Sequence, residues 1–394
     1  MTTNLSTDHS RAQLVADDPT FGKQVVGTSR GDRESSFNLA DFTVPNGTEE
    51  DWRFTPVKEL APFFADKLEG TLPEVTAEGV ELEVVDRDDV RLGTIQAPGD
   101  RAAVVAWNSF EKAHVVTVPE NGQAEGLIKV TGQGGDPSAL HLFIEAEKNS
   151  NSTIVVSHDG SANLSETIEI DVKEGANLTF VTVQEWEDDA IHLSNNRLRL
   201  AKDASIRHIV VTLGGKIVRI TTDGEYTGTG GDMELLGAYY TDAGQHQEHR
   251  LFVNHSVPDC RSNATYKGAL QGKDAHAVWI GDVLIDVTAT GTDTYELNRN
   301  LVLTEGAKAD SVPNLEIKTG EIEGAGHASA TGRFDDEQLF YLQARGIPED
   351  VARRLVVRGF FASLINQIGV PAVQEKLMEA IEVELDETMA GVQA

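Results

Sequence analysis

The chain has 394 residues, with 33 Lys and Arg against 64 Asp and Glu, for a formal net charge of −31. That length can bury a substantial core, as one large domain or as two to three ordinary ones. Its charge excludes nucleic acid and anionic membrane as main partners, because both would repel so acidic a surface.

The start, MTTNLSTDHSRAQLVADDPT, lacks the charged-then-apolar layout of a secretory signal, and no run approaches the roughly 18 apolar residues of a membrane span. A cytoplasmic protein without a membrane partner is expected. The first forty residues are rich in Thr, Ser, Asp and Gly and read as a loosely packed arm. Next, Trp52, Phe54, Phe63 and Phe64 recur among polar residues at short-helix spacing. Residues 1–83 are therefore taken as an arm with a helical region.

From about Val84 to Gly332 apolar and polar residues alternate, with many β-branched side chains, and helix signals nearly vanish. Strands are predicted at Ala103-Val104-Val105-Ala106-Trp107, Ser152–Val156, Thr167–Val172, Leu178–Val183 and Ile206–Val211. Similar turns fall between them, at Glu174-Gly175-Ala176-Asn177, Ala201–Ala204, Gly228–Asp232, Gln271–Ala275 and Glu305–Ala309, roughly 27 to 42 residues apart. A coil of strands stacked turn upon turn fits this recurrence better than a sandwich. Such a fold buries each turn only against its neighbours and needs caps, which helical segments at the two ends could supply.

After Gly332 the period changes to helical. Asp335 or Asp336 can cap a helix through Leu339, Phe340 and Leu342 that stops at Gly346. Pro348 suits the first turn of a second helix, from Glu349 to about Ile368, and a third begins near Pro371 with Val373, Leu377, Ile381 and Leu385 on one stripe. Residues 333–394 thus form a helical domain behind a β core of residues 84–332.

The three Gly-Lys pairs, Gly22-Lys23, Gly215-Lys216 and Gly272-Lys273, are followed by Gln, Ile and Asp, so this chain has no P-loop and is expected to bind no nucleotide. Gly228-Thr229-Gly230-Gly231 lies between strands and reads as a turn. His246, His249 and His255, with Cys260 behind them, invite a metal reading, but on a strand only His249 and His255 share a face, which favours structural roles. Cys260 is the only cysteine, so neither an intrachain disulfide nor a cluster on four thiolates of this chain is possible. His327 sits among small residues in Gly324-Ala325-Gly326-His327-Ala328-Ser329-Ala330-Thr331-Gly332, which leave the imidazole accessible to a partner, although a lone histidine in such a loop is more often a solvated or core-satisfied side chain than a ligand.

Several of these elements resemble the SufB/SufD family of iron–sulfur cluster assembly proteins. They are Glu50-x-Trp52-Arg53-Phe54-Thr55, the stretch His255-x-x-Pro258 with Lys267-Gly268 and Gly272, and Pro313-x-Leu315-Glu316-Ile317 followed by His327. The most distinctive run is Leu339-Phe340-Tyr341-Leu342 through Arg345-Gly346. The resemblance is strongest over the last 160 or so residues. Ala325 stands where many SufD-type chains carry a cysteine, so any role of that thiol does not transfer. The cysteine that SufB-type chains place here is also missing, which favours the SufD branch.

The resemblance implies a mainly β protein, a right-handed parallel β-helix with an N-terminal helical region and a C-terminal helical domain. It implies a non-catalytic scaffold that pairs with a SufB-like subunit, shares a transient iron–sulfur cluster with it through His327, and docks a SufC-type ABC ATPase. Leu339, Phe340, Tyr341, Arg345, Leu355 and Phe360 are the candidates for that docking. The rival reading is a β-helical carbohydrate-active lyase or hydrolase with paired carboxylates in a groove.

Overall fold

The structure is a computed structural model and describes residues 29, 31, 33–334 and 336–392. Most of the expected N-terminal arm, and Asp335 as a helix cap, lie outside the described residues. From Glu34 onward the chain forms one compact unit.

Alternate strands belong to alternate sheets. One nine-stranded sheet begins with β1 (Glu74–Glu78) and β4 (Gln123–Gln133) and ends with β16 (Asp293–Val302) and β18 (Gly324–Arg333). The other begins with β2 (Glu83–Asp86) and β3 (Lys112–Val118) and ends with β15 (His276–Ile285) and β17 (Lys308–Ile317). Two strands make a turn, and about eight turns stack into a parallel β-solenoid. Register runs straight along the stack: Ile154 pairs with Phe180, Phe180 with His208, His208 with Leu235, Leu235 with Ala264, Ala264 with Glu296, and Glu296 with His327. Every second residue of each strand therefore faces the interior at a fixed height.

The recurring turns are what hold this register. Asn149, Gly175 and Asp203 occupy the left-handed region at φ of 55°, 68° and 55°, which is why Asn, Gly and Asp recur there. Their backbone N–H groups climb the stack, from Asn149 to the Glu174 carbonyl, from Gly175 to that of Lys202, and from Asp203 to that of Thr229. A Cβ on Gly175 would lie 2.5 Å from Asn149 Oδ1.

Three expectations are corrected. Ala103–Trp107 is not a strand but part of helix α1 (Arg101–Ser109), whose N-terminus is capped by the Asp100 carboxylate accepting from the Ala103 N–H. Burial of Ala102 to Ala106 on nearly all sides decides it, since a continuous apolar run does not distinguish strand from helix. The region around Trp52 holds turns and a single 3-10 turn over Ala61–Phe64 rather than a longer helix. Nor, among the described residues, do helices cap the solenoid. Its N-terminal end is closed by β1 and β2, which pair antiparallel with β4 and β3.

The helices instead cover the flat outer faces. Trp52, Phe63, Phe64 and α1 pack over the outward side chains Leu193 and Ile217. On the other sheet, α3 (Glu349–Ile368) and α4 (Pro371–Val392), which follow α2 (Asp336–Ala344), lay Val357, Phe361, Leu364, Ile368, Val373 and Leu377 over Val183, Ile209, Val211, Leu236 and Tyr240. Gly346 stops α2 at φ 84°, and Gly369 ends α3 at φ 68°. Pro348 caps α3 from just outside it. The side chain of Leu385 lies outside the described residues.

Gly175→Val forces a β-branched side chain into a left-handed turn and against Asn149, and is expected to cost about 1–3 kcal/mol. Urea denaturation checks it, with Gly99→Ala, which meets nothing within 4 Å, as the neutral control.

Candidate functional site

Along the stack the interior changes character. Early turns present Ile154, Val156, Leu178 and Phe180, all buried in one apolar core. The last two turns of the same sheet present Thr294, Glu296, Asn298 and Asn300 on β16, then Ala325, His327, Ser329 and Thr331 on β18. Three of these groups, Asn298, Asn300 and Thr331, form a linked set with Tyr239. Tyr239 donates its hydroxyl to Asn300 Oδ1 at 2.5 Å, Asn298 Nδ2 donates back to that hydroxyl at 3.0 Å, and Asn300 Nδ2 reaches Asn298 Oδ1 at 2.8 Å. Asn300 Nδ2 also reaches Thr331 Oγ1 at 3.4 Å, carrying the set to the final turn.

The final turn is a double edge. β17 and β18 each pair on one side only, and no described residue pairs their other side. His327 stands on this edge, exposed, because no further turn covers the interior row to which it belongs. Gly326 and Ala328 flank it and give the imidazole little to pack against.

Directly beneath it lies Glu296, its register partner one strand down, which is only 2% exposed. Neither Glu296 oxygen has a hydrogen-bond partner. The carboxyl crosses the interior toward β15, where Gly281 makes room: a Cβ at Gly281 would sit 2.3 Å from Glu296 Oε1. Burial, with the Asp282 carboxyl nearby, pushes Glu296 up to about 8. Sequence reasoning passed over this residue. The available signal was a carboxylate on the inward parity of Thr294-x-Glu296-x-Asn298.

A second polar cluster sits deeper, where Glu166 joins His158 and His192, all fully buried. His158 Nε2 is 3.0 Å from Glu166 Oε1, and His192 Nε2 is 3.3 Å from Oε2, to which Ser194 also donates. Burial pushes Glu166 up, but the two imidazoles override it and hold the carboxyl well below the usual range. Two further bonds fix the protons. The Val183 carbonyl lies 3.2 Å from His158 Nδ1, and Trp186 Nε1 donates to His192 Nδ1 at 3.1 Å. His192 thus carries its own proton on Nε2. A metal ion bound to both Nε2 atoms would need a proton on His192 Nδ1, where Trp186 already places one. The bonding favours a structural cluster in which His158 and Ser194 bond Glu166, while His192 Nε2 lies at ion-pair distance outside hydrogen-bond geometry.

The His246–His255 strand, β13, brings no metal set together among the described residues. His249 is interior, stacked on Tyr239 at 4.9 Å and pushed down to about 3 by burial. His255 meets Ser262 Oγ at 2.8 Å. His246 faces outward, toward Glu248 at 3.2 Å and His276 at 3.2 Å. Glu248 anchors the Trp52 element: it accepts from Thr55 at 2.7 Å and pairs with Arg219, whose guanidinium stacks 4.0 Å from the Trp52 ring. Cys260 is buried, its Sγ 3.5 Å from the Gly228 carbonyl oxygen, and burial pushes the thiol up.

On the helices, Phe340 is 71% exposed, Tyr341 56% and Leu355 48%. Arg345 stacks on the Tyr341 ring at 4.7 Å. Leu339 is buried and belongs to the packing of α2 rather than to its surface. Phe360 is half-buried beside Lys267, whose ammonium donates to the Phe360 carbonyl and to Ser363, both at 2.6 Å, and so fastens α3 to the sheet. A groove of about 490 Å³ runs between α3 and the last even strands, lined by Arg299, Asn300, Arg333, Leu355 and Phe360.

Two stability measurements follow. Glu166→Ala strands two buried imidazoles and should cost about 3–5 kcal/mol in a denaturant melt. Glu296 acts in the opposite sense, because a carboxyl raised on folding adds stability only while protonated. Its contribution is complete below the ordinary value of 4.5 and disappears as pH rises to about 8. Wild type should therefore lose stability relative to Glu296→Gln across that window, and a pH-independent difference would contradict the assignment.

Comparison with known proteins agrees with this geometry. The SUF system FeS cluster assembly SufBD core domain matches residues 129–360, well over half of the chain, from β4 into α3. An iron-sulfur cluster assembly SufBD family protein of Mycobacterium bovis is 48% identical over 388 residues, covering 95% of this chain and 98% of that protein. Its counterpart in Mycobacterium leprae is 49% identical over 92% and 96%. The iron-sulfur cluster assembly protein SufD of Escherichia coli is 24% identical over 86% and 88%. With the fold and the matched span in agreement, the chain belongs to the SufBD family of SUF-system iron–sulfur cluster assembly proteins.

Proposed function

We propose that this chain is a SufD-type, non-catalytic scaffold subunit that joins a SufB-like subunit through the open end of its solenoid and shares a nascent iron–sulfur cluster with it at His327. The observation that carries the reading is the pair of unpaired edges, β17 and β18, bearing an exposed imidazole on the interior row. Unpaired strand edges invite pairing with another chain, and joining two such ends removes both liabilities. Neutral imidazole ligates iron, and a partner thiolate supplies what a chain with one buried cysteine lacks. The cluster is cargo here, assembled and passed on. The likeness to SufD of E. coli supports the SufD branch.

The same reading assigns nucleotide chemistry to a SufC-type ATPase docked on the C-terminal helices. Exposed Phe340, Tyr341 and Leu355, with Arg345 between aromatic and charged surface, suit recognition by a helix or groove. A truncation at residue 335 is a poor test, because it would strip the helices from Val183, Val211, Leu236 and Tyr240 and expose an apolar face. Phe340→Ser combined with Leu355→Ser leaves that packing intact. The double variant should keep its melting temperature and lose ATPase binding in a pull-down; undiminished binding would remove this docking face. The chain alone should hydrolyse no ATP.

His327→Ala should leave folding and complex formation unchanged, since the imidazole has few packing contacts, yet lower cluster loading. Anaerobic reconstitution of the complex, with iron and sulfide counted against wild type, reads it. Full loading in the variant would reduce this end to architecture.

A further inference from the structure

We propose that Glu296 is a second iron ligand of this chain, supplying a carboxylate beside the imidazole of His327 so that the open end of the solenoid takes up ferrous iron before or during cluster assembly. The inference rests on the proposed cluster role of His327 and extends it inward by one turn.

Three observations converge on it. Glu296 and His327 are register partners on adjacent parallel strands, so their side chains leave the same face of the sheet about 4.8 Å apart along the stack. Both point into the interior, one covered and one at the mouth. Glu296 is 2% exposed and both its oxygens lack a hydrogen-bond partner, whereas nearby interior polar side chains, Asn298, Asn300 and Tyr239, bond one another. A buried carboxyl left so is costly unless something else uses it. Finally, the residues around the pair are small. Gly281 faces the carboxyl from the opposite sheet, and Gly326 and Ala328 flank the imidazole.

Imidazole nitrogen and carboxylate oxygen are suitable donors for a divalent iron ion, and two ligands from one chain leave positions open for a partner thiolate and sulfide. The binding is a coordination step without electron transfer, in which the Glu296 carboxyl gives up its proton to solvent as the metal–oxygen bond forms.

The test is anaerobic equilibrium dialysis of the full-length chain against ferrous iron, comparing wild type, Glu296→Gln, Glu296→Asp and His327→Ala. Gln keeps the size and polarity of Glu, so circular dichroism and melting confirm folding before iron is counted. Wild type should bind about one iron per chain, and loss of one ligand should weaken binding by about 10–100-fold. The shorter Asp should recover part of that loss. Iron binding that Glu296→Gln leaves unchanged while His327→Ala abolishes it would overturn this inference and leave the cluster role of His327 standing. No iron bound by the wild-type chain would also overturn it. Cluster loading that His327→Ala leaves unchanged in the complex would instead strike the reading beneath it.

Discussion

Everything in this molecule depends on backbone pairing between successive turns. Each strand of the solenoid satisfies its N–H and C=O groups with the turn before and the turn after, so the stack is stable in its middle and unfinished at its ends. The two ends are finished differently. At the N-terminal end β1 and β2 run antiparallel to their neighbours and halt the parallel ladder. At the other end β17 and β18 remain as edges, and the C-terminal helices, which could have folded over them, lie on the outer face of the even sheet instead. Unpaired edges thus lie at both ends, short ones at β1 and β2 and ten-residue ones at β17 and β18, where His327 stands.

The interior row tells the same story in side chains. A solenoid core is ordinarily apolar because each inward residue is sealed by the turns on either side, and Ile154, Leu178 and Phe180 obey this. Polar groups enter as bonded sets, the Glu166 cluster and the Tyr239–Asn298–Asn300 set, and as isolated side chains such as His208, whose ring nitrogens have no hydrogen-bond partner. Glu296 is a carboxyl among the isolated ones, and it lies one turn from the mouth. Local rules are most often broken at sites under functional demand.

Much of the fold was legible in the residues. Alternation marked the strands, and Gly175, Asp203, Gly230, Gly272 and Gly306 marked turns that sit at positive φ in the structure. The helical tail was legible too, with Gly346 as a stop. What the sequence hid were matters of three-dimensional company. Val104-Val105 in α1 reads as strand because β-branched residues fit either element once buried on all sides. The caps were misplaced because amphipathic helices show that an apolar stripe exists, not which surface it covers. His327 was reached through its small-residue setting and family resemblance, whereas Glu296 and Glu166 needed register, since only the stacked structure shows which inward carboxylates find partners.

The central claim is that the imidazole of His327 ligates iron in a cluster completed by the partner subunit. The most direct measurement is pulsed electron paramagnetic resonance on the reduced, reconstituted complex, with this chain alone labelled with ¹⁵N-histidine. A directly bound imidazole should give a strong ¹⁵N hyperfine coupling that disappears in His327→Ala. Absence of such a coupling in the wild-type complex, or its survival in the variant, would contradict the account.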